Sequence, residues 1–334
     1  MKAAILAPVA WRTPPRHYGP WEQVASNIAE GLIKLGVDVT LFATGDSITA
    51  GKLEAICEQG YEEDRSQDAK VLECLHISNL MERASEFDII HNNFDFLPLT
   101  YTGLIDTPVI TTIHGFSSPR IVPVYKKYNK RGHYVSISDA DRSPELEYIA
   151  TVYNGLDTAD FKFSPKSEDY LLYFGRLHHD KGPVEAIEIA KKANKKLIIA
   201  GIIQDENYFK ERVEPHFSDQ IQYIGPAGPD KRNELLGNAL ALLHPINFAE
   251  PFGMSVAESM LCGTPVIAFN KGSMPELIKH EKTGFLVNNV DEAVEVIDQL
   301  GSINRQECAD WAKSKFSKEK MAEDYFKLYQ QILG

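Results

Sequence analysis

Short apolar runs alternate with segments whose apolar residues recur at helical spacing, and this alternation passes through the chain twice. A strand with no polar face must be covered on both sides, so the pattern demands parallel sheets flanked by helices. The first series of strands is predicted at residues 2–7, 37–44, 87–91 and 108–113, with shorter ones at 134–137 and 149–153. Residues 21–35 place Trp21, Val24, Ile28, Leu32 and Leu35 one turn apart, and Gly36 ends that helix. A second helix is predicted over 71–84. The turn Asn154-Gly155-Leu156-Asp157 and the polar stretch 161–169 then interrupt the pattern. It restarts with strands at 170–174, 196–200, 221–224, 240–244 and 265–269, and helices at 183–193, 206–216 and 231–238. One long helical stretch, 304–333, closes the chain and is longer than the last sheet needs. The fold class is therefore α/β, with two doubly wound, Rossmann-like domains at 1–155 and 156–315. The helix at 316–334 is expected to pack back on the first. Ligands of such sheets lie beyond the carboxyl ends of the strands, so two domains facing across a cleft place the chemistry in those loops.

Several functions are argued against by what the chain contains. A net charge of -12 on 334 residues disfavours a nucleic-acid partner. Cys57, Cys74, Cys262 and Cys308 are scattered, with no C-x-x-C pair, which favours reduced, buried thiols and a cytoplasmic setting. The apolar start ends at Pro8, too early for a signal sequence, and no run of about 18 apolar residues occurs. There is no G-x-x-x-x-G-K-[ST] and no complete G-x-G-x-x-G after the first strand. No Asp-x-Asp loop or His cluster has metal-ligand spacing, so no metal and no cofactor is expected.

Residues 248–268 carry the strongest chemical signal. Glu250 and Glu258, eight positions apart, bracket Pro251, Phe252 and Gly253, and a short apolar helix and Gly263-Thr264-Pro265 follow. Pro251 and Gly253 keep Glu250 in a loop. Ser255 and Glu258 read as a capping box, so the amides around Phe252, Gly253, Met254 and Ser255 sit at a helix N-terminus suited to phosphate. Capping alone would account for Glu258 equally well. Gly175-Arg176 and Lys181 follow the strand at 170–174, where a fork-shaped and a point-like cation can hold a diphosphate. His114 stands at the end of the strand at 108–113, and His91 at another strand end. Arg12, Arg16, His17 and Gly19 lie in the Pro-rich loop after the first strand. The basic residues there suit an acidic or hydroxyl-rich acceptor.

Taken in order, Glu250-Pro251-Phe252-Gly253 with Glu258, Gly263-Thr264-Pro265, and Gly175-Arg176 with Lys181 resemble the retaining glycosyltransferases of family 4, which have the GT-B fold. The Asn154-Gly155-Leu156-Asp157 junction, the Gly19 loop and His114-Gly115 match further landmarks of that family, so the resemblance covers essentially the whole chain. It implies a nucleotide-diphosphate sugar, UDP-glucose-like or GDP-mannose-like, bound mainly to the second domain. The hydroxyl acceptor, a small molecule, glycan or lipid, would bind the first, with Arg12, Arg16, His17 and His91 as acceptor contacts. By motif position Arg176 and Lys181 hold the diphosphate, assisted by Gly19, Gly175 and the amides from Phe252 to Ser255. Glu250 meets the donor-sugar hydroxyls, Glu258 the ribose, and His114 the sugar near the reacting carbon. The base is read by backbone near residues 201–204 and 225–228. Transfer of a hexose would retain anomeric configuration without an essential metal.

Many relatives carry Gly-Gly where this chain has Gly19-Pro20, and a proline has no amide hydrogen to offer a phosphate. The segment from Thr13 to Glu22 resembles a subgroup of glucosyltransferases that act on small molecules, pterins among them. The resemblance also admits a peripheral membrane contact through the basic cluster Lys126, Lys127, Lys130 and Arg131. The competing readings are a sugar-nucleotide epimerase or phosphorylase on the same fold, and a non-catalytic sugar-binding protein. The two glutamates with Gly-Arg and Lys favour the transferase.

Overall fold

Among the residues described by the computed structural model, 1–116 and 118–334, thirteen strands form two separate all-parallel sheets. The first holds β1 (Lys2–Leu6), β2 (Asp38–Phe42), β3 (Lys52–Glu54), β4 (Ile89–Asn92), β5 (Val109–Ile113), β6 (His133–Ser136) and β7 (Ala150–Thr151), in the order β3-β2-β1-β4-β5-β6-β7. The second holds β8 (Tyr170–Phe174), β9 (Lys196–Ala200), β10 (Ile221–Tyr223), β11 (Ala241–His244), β12 (Val266–Phe269) and β13 (Gly284–Val287), in the order β10-β9-β8-β11-β12-β13. Strand order reverses between β1 and β4, and again between β8 and β11. At such reversals the loops leaving neighbouring strands diverge and open a crevice.

The chain divides into two compact units, Met1–Leu156 with Ser317–Gly334, and Asp157–Phe316. In the first, alternate residues of β1 feed opposite faces of the sheet. Ala3 and Ile5 pack with Val24, Ile28 and Leu32 of the helix Pro20–Lys34, whereas Ala4 and Leu6 pack with Leu72, Ile77 and Leu80 of the helix Ala69–Met81. This two-sided burial is why the strands read as continuous apolar runs.

The stretch 304–333 is two helices rather than one, Arg305–Phe316 and Lys318–Leu333. Ser317 is extended between them, and its hydroxyl accepts from the Lys320 amide at 3.3 Å. The second helix belongs to the first unit, where the Lys318 amide donates to the Leu156 carbonyl at 2.7 Å. Gly155 is required there: a Cβ would lie 2.7 Å from the Ser317 carbonyl oxygen and 2.8 Å from Met321 Cβ. Tyr325 and Tyr329 of the same helix are buried against the first sheet.

β3 and β13 escape sequence reading because they are short edge strands, the first partly exposed and the second opened by a glycine. Residues 206–216 are helical but divide into α, π and 3₁₀ turns, with Pro215 in the last. The four cysteines are free, and Cys74 is exposed rather than buried. No helix of the described residues is long and apolar enough to cross a membrane.

Candidate active site

In the Asp157–Phe316 unit the loops leaving β8 and β11 meet at the strand-order reversal. After β8 the chain passes Gly175 and Arg176 and turns through the 3₁₀ segment His179–Lys181. Gly182 then takes the left-handed conformation, φ 69°, before the helix Pro183–Lys192. Any Cβ at Gly182 would sit 1.9 Å from the Pro245 carbonyl oxygen, so the β8 and β11 loops touch through backbone alone. The Asn247 amide donates to the Asp180 carbonyl at 2.7 Å and ties them again. The loop after β12 adds a third support. The Ser273 amide donates to the Glu250 carbonyl at 3.0 Å, and its hydroxyl donates to the Phe252 carbonyl at 2.6 Å. Glu250 is thus placed by loops from three adjacent strands.

Lys181 and Glu250 form an ion pair, with side chains only 16% and 12% exposed. The Lys181 ammonium also lies 4.7 Å from the centroid of the Phe248 ring. His244, the last residue of β11, brings Nε2 to 3.8 Å from the same Glu250 oxygen, Oε2. Burial pushes the His244 imidazole down to about 4, with Glu250 opposing that effect and Lys181 adding to it. The ring is therefore neutral near pH 7.

The helix bearing Glu258 runs Met254–Leu261 and begins on Gly253, which is left-handed at φ 93° and caps with backbone alone. The expected capping box between Ser255 and Glu258 does not form. The helix starts at Met254, so Ser255 is already inside it and Glu258 falls beyond the third helical position that a capping box needs. Glu258 Oε1 instead lies 3.7 Å from an Arg232 nitrogen, in a pair 13% and 20% exposed, and the Arg232 guanidinium stacks 4.4 Å over Phe161. Burial raises the Glu258 carboxyl, and Arg232 draws it partly back. Amides of the first turn, around Met254 and Ser255, have no intrahelical acceptor and carry the positive end of the helix dipole.

Arg176 donates to Gln204 Oε1 at 2.7 Å, and its carbonyl accepts from the Tyr173 hydroxyl at 2.8 Å. His178, His179 and Asp180 bring one ligand atom each within 4.8 Å of one another on the turn before Lys181, a grouping the sequence reading did not credit with metal spacing. The His178 and His179 rings are 4.1 Å apart, and each His already lies beside the Asp180 carboxylate.

In the first unit, Gly19 is the N-cap of the helix Pro20–Lys34. Glu22, in its first turn, is 3% exposed and accepts from the Trp11 amide at 3.3 Å. Burial lifts its carboxyl to about 7. His114 leaves β5 with its ring stacked on Trp21, centroids 5.5 Å apart, and its Nε2 lies 3.1 Å from Asn93 Oδ1. Burial holds it neutral, down to about 3.

The acceptor contacts expected in this unit divide. His91 is fully buried, with Nδ1 2.7 Å from the Tyr329 hydroxyl and Nε2 2.7 Å from Thr112 Oγ1. A ring with no exposed atom and both nitrogens engaged cannot meet an acceptor, so His91 is a core residue. Its strand end is closed by the helix Lys318–Leu333. Arg16 is taken up by Asp46 and Glu63, each at 2.8 Å, and Arg12 Nε donates to the Pro14 carbonyl at 2.9 Å. His17 is exposed. The residues that sequence reading missed are His244, Arg232, Ser273 and Asn93. His244 alone had a usable signal, since it ends a predicted strand on the chemical side of the sheet.

Two family models match successive parts of the chain: "Glycosyltransferase Family 4" over residues 21–160 and "Glycosyl transferases group 1" over residues 157–317. An uncharacterized glycosyltransferase of Methanocaldococcus jannaschii is 23% identical, over 97% of this chain and 94% of its own. Among solved structures, AviGT4, a glycosyltransferase of avilamycin A biosynthesis, superposes with a TM-score of 0.74 at 22% identity, covering 100% of this chain and 98% of its own. HepE of Anabaena, solved with UDP and glucose, superposes with a TM-score of 0.72 at 19% identity, covering 99% of both chains. At these identities the structural likeness speaks to the fold. With two Rossmann-like parallel-sheet units and both family models in register along it, the chain belongs to the family 4 type of glycosyltransferases, enzymes of the GT-B fold.

Proposed function

We propose that the enzyme transfers a hexose, with retention of configuration, from a nucleoside-diphosphate sugar to a hydroxyl of a small-molecule, glycan or lipid acceptor. The observation that carries this reading is the buried Lys181–Glu250 pair beside the start of the helix Met254–Leu261. A cation, a carboxylate and the amides of a helix start come together where strand order reverses. Such a set suits a sugar diphosphate: cation and amides for the leaving charge, carboxylate for sugar hydroxyls.

In this reading Lys181 and Arg176 stabilise negative charge as the nucleoside diphosphate departs, with the amides of residues 252–255 and the Gly19 and Gly175 backbone assisting. Glu250 holds the sugar through its hydroxyls. Glu258 shares its carboxylate between Arg232 and the ribose. His114, kept neutral, offers the sugar a hydrogen bond rather than a charge. The acceptor is assigned to the first unit, with His17 the contact still free and Arg12 and Arg16 contributing through rearranged pairs. HepE was solved with UDP and with UDP-glucose, which supports a nucleotide-sugar donor here, UDP-glucose-like or GDP-mannose-like. No metal is required, because the protein itself supplies the positive charge at the diphosphate, and the reaction is cytoplasmic.

The test is release of nucleoside diphosphate from a panel of UDP-, GDP- and ADP-sugars, with and without chelator. Turnover of one donor class that survives chelation is expected, and Lys181→Ala and Glu250→Ala should each abolish it in a folded protein. Absence of any bound or hydrolysed donor, or full activity in both variants, overturns the reading.

A further inference from the structure

We propose that His244 is a positioning residue for Glu250, taking hold of Oε2 when a bound diphosphate draws Lys181 away. The proposal rests on the reading above that Lys181 and Glu250 serve a sugar nucleotide.

Lys181 Nζ and His244 Nε2 approach the same carboxylate oxygen, and only Lys181 bonds it. His244 is 7% exposed, yet its Nε2 has no hydrogen-bond partner. Buried polar atoms are nearly always paired, so an orphan beside a functional carboxylate calls for an explanation. The backbone of His244 is fixed, since it pairs in register with Ala268 of β12. Its ring can therefore move only by side-chain rotation, and 3.8 Å is about 1 Å beyond a hydrogen bond.

Lys181 carries one charge and has two demands on it. Without ligand it neutralises Glu250. With a diphosphate nearby it is drawn to the phosphate oxygens, and a carboxylate only 12% exposed loses its partner. An N–H from His244 restores a donor to Oε2 without adding charge, because burial keeps the ring neutral. Oε1 then stays directed to the sugar. His244 does not touch substrate; it fixes the carboxylate that does.

The test compares binding of UDP and of UDP-glucose to the full chain, or of the matching pair for whichever sugar nucleotide the panel shows to bind. Calorimetry is run on wild type, His244→Phe and His244→Gln, each checked by thermal melting. His244→Phe should weaken the sugar nucleotide and the bare diphosphate alike, each about tenfold, because either one draws Lys181 from Glu250. His244→Gln, which keeps an N–H, should recover most of the loss. In a Glu250→Ala background His244→Phe should have no further effect. No weakening of either ligand, or a weakening that persists in the Glu250→Ala background, overturns the assignment. If His244→Phe does not fold, the imidazole nitrogen resonances of wild type decide. A downfield Nε2–H on adding UDP supports the proposal, and an unchanged spectrum with UDP bound refutes it. Failure of wild type to bind any sugar nucleotide overturns the functional reading itself and this inference with it.

Discussion

Replacing Lys181 by Met isolates what the ion pair does in the absence of ligand. Methionine keeps most of the side-chain volume and its contact with Phe248 but removes the charge. Glu250 is then a carboxylate 12% exposed, with His244 Nε2 3.8 Å from its Oε2. Removing one partner of a buried pair typically costs about 3–5 kcal/mol, and residual exposure puts this pair at the low end, near ~3 kcal/mol. For a unit the size of Asp157–Phe316, each kcal/mol moves the midpoint by roughly 2–4 °C, so its Tm should fall by about 6–12 °C. The sharper expectation concerns the double variant. Adding Glu250→Gln removes the stranded charge, so Lys181→Met/Glu250→Gln should be more stable than Lys181→Met alone while remaining inactive. Scanning calorimetry of the four proteins closes the thermodynamic cycle. If the double variant is as unstable as the two singles summed, the pair holds no buried charge in balance and the reasoning fails.

Three further expectations are independent of the ligand. Gly155→Ala should lower stability by about 1–3 kcal/mol in urea unfolding, because its Cβ would press on Ser317 and Met321 of the returning segment; an unchanged midpoint would show that this contact yields freely. Arg305 donates to the carbonyls of Ser164 (2.9 Å), Ala239 (3.0 Å) and Gly237 (2.5 Å) and to Thr264 Oγ1 (2.6 Å). Arg305→Met strands four acceptors and should cost about 3 kcal/mol or more by the same assay. Glu22 has a folded-state pKa of about 7, above the usual carboxylate value. Stability it contributes is full below about pH 4.5 and is lost as pH rises through 7. Glu22→Gln should therefore stabilise the protein at pH 8, by up to about 3 kcal/mol, and leave it unchanged near pH 4. Equal effects at both pH values would place the carboxylate in solvent.

The sequence by itself determined the fold class and most strands, and marked the loops after β8 and β11 as the candidate site. Buried parallel strands must be apolar on both faces, and helices over them must be amphipathic, so both leave a periodic trace. Glu250, Lys181 and Gly253 were legible because a carboxylate before Pro, a Lys after a strand and a Gly before a helix each break a local pattern. Only the tertiary structure decided the pairings. That Lys181 neutralises Glu250 depends on two loops 69 residues apart in sequence being leashed by Gly182 and Asn247. The same is true of Glu258, whose partner Arg232 comes from another helix and whose expected capping role fails because the helix begins two residues early. His91 and His114 looked alike as histidines at strand ends. The helix Lys318–Leu333 buries the first between Tyr329 and Thr112, whereas the second stays partly open against Trp21. Local sequence sets backbone preference within a few residues. The charge, exposure and bonding of a side chain are set by what folding brings to it from elsewhere in the chain.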